Sequence, residues 1–174
     1  MSQIHQIQFQ FLPIEDRLLL KINTTAKEEF SFLLTRRFVS ILHPILNKIL
    51  HENPSVSSYS NEQVRDELIN LQQQDAIQKT NTTTPYQNKD FTHPLGSQPI
   101  LLAKIATNIQ QGIRKLTLEP EKGVGISFTI EQNLAHLLTN LLLESLDKTD
   151  WQLGFKNNVK TLSQTDPSNK KHLH

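Results

Sequence analysis

The sequence predicts an α+β fold: two pseudo-repeated strand-strand-strand-helix units that share an antiparallel sheet and helix packing, with an extra central helix. Three observations carry this expectation. Short segments alternate apolar and polar residues, the period of a strand with one buried face. Each set of three such segments is followed by one with apolar residues at helical spacing. The second set also falls 96 positions after the first, without a gap.

The first unit is residues 1–53. Ile7 to Leu12 reads Ile-Gln-Phe-Gln-Phe-Leu, and Pro13, which has no N–H to give, ends that ladder. Leu18, Leu20 and Ile22 share one parity, as do Phe30, Phe32 and Leu34. With the polar Asn23-Thr24-Thr25-Ala26-Lys27 between them, the pattern predicts a hairpin. Thr35 stands where a helix N-cap is expected, before Phe38, Ile41, Leu42, Ile45, Leu46 and Ile49 at helical spacing. Pro44 falls inside this helix and is expected to kink or divide it.

Residues 54–98 read as a helix and a polar linker. Ser55 to Tyr59 is loop-like. Ser60 with Gln63 has the form of a capping box, opening a helix that runs to about Lys79 with a thin stripe of Val64, Leu68 and Leu71. From Thr80 to Gln98, Asn, Thr, Gln and Pro dominate, too polar to offset the entropy of ordering. The second unit, residues 99–155, repeats the first. Ile100 to Ile105 forms one strand, Leu116 and Leu118 belong to another, and Ile126, Phe128 and Ile130 alternate in a third. Leu134, Leu137, Leu138, Leu141 and Leu142 then take helical spacing. Asp150 to Phe155 is expected to add a short strand or fold back as an apolar clasp, and residues 156–174 read as a flexible tail.

At the 96-residue offset Phe9 falls on Ile105, Leu20 on Leu116, Ile22 on Leu118, Phe32 on Phe128, and Leu42 and Leu46 on Leu138 and Leu142. A pseudo-twofold arrangement of the two units is the expectation.

The composition offers little chemistry. Lys plus Arg total 18 against 17 Asp plus Glu, so no bulk positive charge points to nucleic acid or a membrane surface. There is no cysteine, which excludes disulfides and thiolate sites and fits a reducing compartment. No apolar run approaches the ~20 residues of a membrane span, and the N-terminal residues lack a secretory pattern, so the expected location is the cytoplasm. The seven histidines, His5, His43, His51, His93, His136, His172 and His174, make no ligand-dense motif. Gly123-Val124-Gly125 lacks a phosphate-loop lysine and reads as a hairpin turn. Glu28 and Glu29, adjacent on a strand, point to opposite faces. We therefore expect no catalytic residues, no metal and no cofactor.

The run Phe11, Glu15-Asp16-Arg17-Leu18-Leu19-Leu20, Asn23-Thr24, Glu29-Phe30 and Leu34-Thr35-Arg36-Arg37-Phe38, together with Asp150-Trp151-Gln152-Leu153, resembles an uncharacterised family of small bacterial proteins. The resemblance touches both units, leaves out the linker, and implies a bacterial origin and no chemistry.

The functional expectation is a non-catalytic interaction or scaffold protein that binds a protein partner or itself, with Val64, Leu68 and Leu71 as its interface helix. The alternative is a single-stranded nucleic-acid-binding protein with a Whirly/PC4-like arrangement, although Phe9, Phe11, Phe30 and Phe32 are assigned to the core rather than to a stacking face. One further feature is the charged corner of Glu15, Asp16, Arg36 and Arg37. If Leu18 pairs with Leu34, the same register sets Asp16 opposite Arg36 and Glu15 opposite Arg37. The counterparts Gln111-Gly112 and Gln132-Asn133 are neutral together, as pairing requires.

Overall fold

The computed structural model describes residues 3–79 and 90–155. In chain order they form β1 (Ile4–Leu12), β2 (Arg17–Thr24), β3 (Glu29–Leu34), α1 (Arg36–His51), α2 (Pro54–Ser57), α3 (Glu62–Lys79), β4 (Ile100–Gln110), β5 (Ile113–Pro120), β6 (Ile126–Thr129) and α4 (Gln132–Leu146). The architecture is α+β. The linker residues 80–89 and the tail 156–174 lie outside the described residues.

One six-stranded sheet runs β1-β2-β3-β4-β5-β6. Neighbours are antiparallel except at β3–β4, where Phe32 faces Ile100 and Leu33 faces Leu101 in parallel. The expected antiparallel sheet is therefore a mixed one. Between β3 and β4 the chain runs through three helices, and a connection of that length allows a parallel crossover where a tight turn does not. A second parallel contact supports the joint: Thr92 donates to the Lys27 carbonyl (2.8 Å) and accepts from the Glu29 N–H (2.8 Å).

The β2–β3 hairpin has the expected register, with Leu18, Leu20 and Ile22 facing Leu34, Phe32 and Phe30. On β5–β6, Leu116 faces Phe128 and Leu118 faces Ile126, each 96 positions on. The first strand of each unit departs from the gapless alignment. Phe9 faces Leu20, whereas Ile105 faces Leu118 and not Leu116, a slip of two residues. The cause is in the turns. Pro13 cannot extend the ladder, so four residues, 13–16, join β1 to β2. The β4–β5 ladder instead runs on to Gln110 and closes through Gln111 (φ +51°) and Gly112 (φ +77°), the two left-handed residues of a type I′ turn. Because side chains alternate with period two, a slip of two keeps every side chain on its face.

The inward faces of both units make one core: Leu18, Leu20, Ile22, Phe30, Phe32 and Leu34 with Leu116, Leu118, Ile126, Phe128 and Ile130. Helices α1 and α4 pack on each other, and each reaches the first strand of the other unit, α1 against β4 and α4 against β1. Thr35 caps α1 by accepting the Phe38 N–H at 3.2 Å. Pro44 does not divide α1, which is continuous from Arg36 to His51. The buried stripe of Phe38, Val39, Leu42, Leu46, Ile49 and Leu50 holds the helix together. Pro44 lies on the exposed side, where a carbonyl left without a donor can reach water.

Two local readings change. Asn61, rather than Ser60, opens α3, its Oδ1 accepting the Gln63 N–H at 2.9 Å. Part of the stretch expected as loop is the short helix α2, capped by Asn53 and anchored by the fully buried Val56. Residues 151–155 take no strand. They form the clasp, with Trp151 only 6% exposed and Phe155 stacked on His43, ring centres 4.0 Å apart. Among the described residues no helix is long and apolar enough to cross a membrane.

Candidate functional site

The charged corner forms around a residue that the charge pattern does not reveal. Asp16, held at φ +50° at the end of the β1–β2 loop, accepts a hydrogen bond from Trp151 Nε1 at 2.5 Å. Arg36 lies 3.9 Å from the other carboxylate oxygen and 5.8 Å from the indole centre, and Phe11 meets the indole edge to face at 6.2 Å. The expected Asp16–Arg36 pair is thus present. The expected Glu15–Arg37 pair is not: Glu15 turns to Arg17 (3.9 Å), and among the described residues Arg37 has no ion pair. Register carries Asp16 toward Arg36 but fails one residue further, because the left-handed Asp16 redirects the chain. The one tryptophan of the chain, beside an aspartate in the Asp150-Trp151-Gln152-Leu153 run, was the available signal.

The candidate interface helix packs on the fold through residues other than Val64, Leu68 and Leu71. Ile69, Gln73 and Ala76 are the buried residues of α3, while Val64 and Leu68 are half-buried and Leu71 is 63% exposed. Side-chain hydrogen bonds link α3 to α4. Gln73 donates to Asn140 (3.3 Å), and Gln132 lies between Gln72 (3.5 Å) and His136 Nε2 (3.2 Å). His136 is 1% exposed, and its Nδ1 has no partner. Burial penalises the imidazolium and pulls the pKa down to about 4, so the ring is neutral at pH 7.

The most distinctive geometry is where the second unit lacks what the first has. Lys27–Glu29, leading into β3, and Phe32–Leu33 on it are covered by Thr92 and by β4. Their counterparts, Gly123–Gly125 just before β6 and Phe128–Thr129 on it, have no strand on the side away from β5 among the described residues. A cavity of about 700 Å³ opens there instead, walled by Ile4, Phe128, Leu134 and Leu137 and rimmed by Gln3, Lys115 and Glu131. Ile4 is the residue 96 positions before Ile100. The Ile130 N–H donates to the Arg114 carbonyl on β5, and strand alternation therefore turns the N–H groups of Ser127 and Thr129 toward this seam.

Beside it, a second cavity of about 440 Å³ sits at the corner of the second unit, lined by Ile109, Gly112, Arg114, Glu52, Ile130 and Gln132. Arg114 and Glu52 pair at 2.8 Å, and the guanidinium holds the Glu52 carboxyl below its usual range. Ile113, Thr129 and Glu131 border both cavities.

Among the described residues no cluster of three or more His, Asp or Glu could hold a metal ion. No protein-family model, no curated protein and no solved structure matches the chain.

Proposed function

We propose that the protein is a non-catalytic interaction protein that takes an extended peptide segment of a partner into the seam between β6 and β1 as an added strand. The observation that carries this reading is the uncovered β6 edge. It corresponds to the positions on β3 that are already paired, and it turns the Ser127 and Thr129 N–H groups toward a cavity with Ile4, Phe128, Leu134 and Leu137 in its wall. An unpaired edge is a template for another strand, with main-chain hydrogen bonds giving affinity and pockets for alternate side chains giving selectivity. The 96-residue correspondence of β2 with β5 and of the starts of α1 and α4 also supports reading the two units as copies, the first with its third strand paired to the other unit and the second with its third strand left open.

The test uses the purified chain against a displayed peptide library, with bound peptides mapped by amide chemical shifts. Contacts at Gln3, Ile4 and Gly125 to Thr129 are expected. Thr129→Pro deletes one seam-facing N–H without touching the β5 ladder, and edge strands tolerate proline. It should weaken binding by at least tenfold while the circular dichroism spectrum is kept. Binding that maps elsewhere, or that survives Thr129→Pro unchanged, overturns the reading.

A further inference from the structure

The two corners of the molecule share a framework, and only one is filled. In the first, the chain leaving α4 folds over the β1–β2 hairpin and buries Trp151 against Phe11, under Arg36, with its N–H on Asp16. In the second, Ile109 stands opposite Arg114 across β4–β5 as Phe11 stands opposite Leu18 across β1–β2. Gly112 and Gln132 stand 96 positions after Asp16 and Arg36. The chain leaving α1 also passes this corner, since Glu52, Asn53 and Pro54 line the cavity. It brings no ring. The position 96 before Trp151 is Ser55, whose hydroxyl is turned to Asn53 Oδ1 at 3.0 Å.

We infer that this second corner is a binding socket for an indole-type ring supplied from outside the described fold. The volume, about 440 Å³, lies within the range of small-ligand sites. Its apolar wall comes from Ile49, Ile109 and Ile130. Ile109 is 57% exposed and Ile113 at the mouth is 49% exposed, so two large apolar side chains border an empty space. The polar wall supplies the same two functions that hold Trp151. The Arg114 guanidinium can lie against a π-face, as Arg36 does, and the paired Glu52 carboxylate can accept an N–H, as Asp16 does. The ligand class is therefore a flat bicyclic aromatic with one N–H donor. Its sources are a tryptophan side chain on a partner and a free indole compound. The inference stands on the two corners alone, whether or not a strand enters the seam.

The test titrates the full chain with 5-fluoroindole, followed by ¹⁹F NMR, and in a second arm with N-acetyl-tryptophanamide, followed by amide shifts. Saturable binding with shifts at Gly112 and Arg114 and none at Trp151 is expected. Tighter binding of the blocked tryptophan than of the free ring assigns a partner side chain as the source, and the reverse order assigns a free compound. 1-Methylindole, which lacks the donor, should bind about fivefold more weakly. Arg114→Leu, which installs the residue found at Leu18, should weaken binding by about fivefold. Gln132→Arg, which installs the counterpart of Arg36, should tighten it about threefold. The inference is overturned if neither ring binds saturably, if the shifts centre on Trp151, or if both variants bind as the unaltered chain does.

Discussion

Replacing Trp151 tests the clasp that joins the end of the second unit to the first. The indole is 6% exposed and touches Phe11, Arg36 and Asp16. Removing a buried large aromatic costs ~3–5 kcal/mol. Freeing the clasp returns some chain entropy, so Trp151→Ala should cost ~3 kcal/mol. Trp151→Phe keeps a ring beside Phe11 and Arg36 but loses the N–H donor. A hydrogen bond to a charged acceptor contributes ~1.5–3 kcal/mol, and here the Asp16 side chain is 60% exposed and rehydrates when the donor goes. The phenylalanine variant should therefore cost only ~1 kcal/mol. Both are measured by urea denaturation followed by far-ultraviolet circular dichroism, because the chain has a single tryptophan and the substitution removes its fluorescence. A loss below ~1 kcal/mol for the alanine variant would mean that the clasp is not docked. Equal losses for the two variants would mean that the hydrogen bond, and not ring burial, holds it.

Reversing both charges of the Asp16–Arg36 pair should restore what either single reversal loses, with a coupling of only ~0–1 kcal/mol for so exposed a pair; strictly additive losses in a double-mutant cycle would remove the pairing. His136 makes stability depend on acid. Its folded pKa of about 4 lies below the unfolded value of about 6.5, so between these limits the unfolded chain holds the extra proton, and stability falls as pH drops through that window, by at most on the order of 3 kcal/mol. His136→Leu should flatten that part of the profile, measured as urea midpoints at pH 7 and pH 5; an unchanged slope would assign the acid sensitivity to other groups. Glu131 opens α4 without a side-chain cap, whereas Thr35 caps α1. Glu131→Thr should raise the thermal midpoint by the equivalent of ~0.5–1 kcal/mol, and a lowered midpoint would show that the carboxylate already stabilises the helix end.

What the sequence reveals depends on how local each feature is. The β2–β3 register follows from Leu18, Leu20 and Ile22 set against Phe30, Phe32 and Leu34 across a short turn, and period two leaves few alternatives. The clasp is legible from Trp151, Leu153 and Phe155 only as one of two alternatives, a short strand being the other. The parallel joint is not, because it rests on two residue pairs separated in sequence by a helical crossover. The packed face of α3 escapes an apolar pattern because Gln73 occupies its middle and Asn140 answers it, a polar pair that hydropathy reads as solvent-facing. The Glu15–Arg37 expectation extends a strand register into a loop whose last residue is left-handed, and there the register has no meaning.

The two units differ most at one end of the second. In the first unit the strand edge is paired, the corner holds an indole, and the helix start is capped by Thr35. In the second unit the edge, the corner and the cap all lack their counterparts, and Glu131 belongs to two of these places at once, the uncapped start of α4 and the rim common to both cavities. A helix start carries partial positive charge that favours an acid, so the carboxylate can remain there without a hydrogen-bonded cap. It is then available as an acceptor where an incoming backbone N–H would arrive. A threonine turned inward, as Thr35 is, would offer nothing to that rim. Three differences from the first unit, in a strand edge, a hairpin corner and a helix cap, thus fall on one contiguous surface, and that coincidence is the strongest physical reason to look for a partner there.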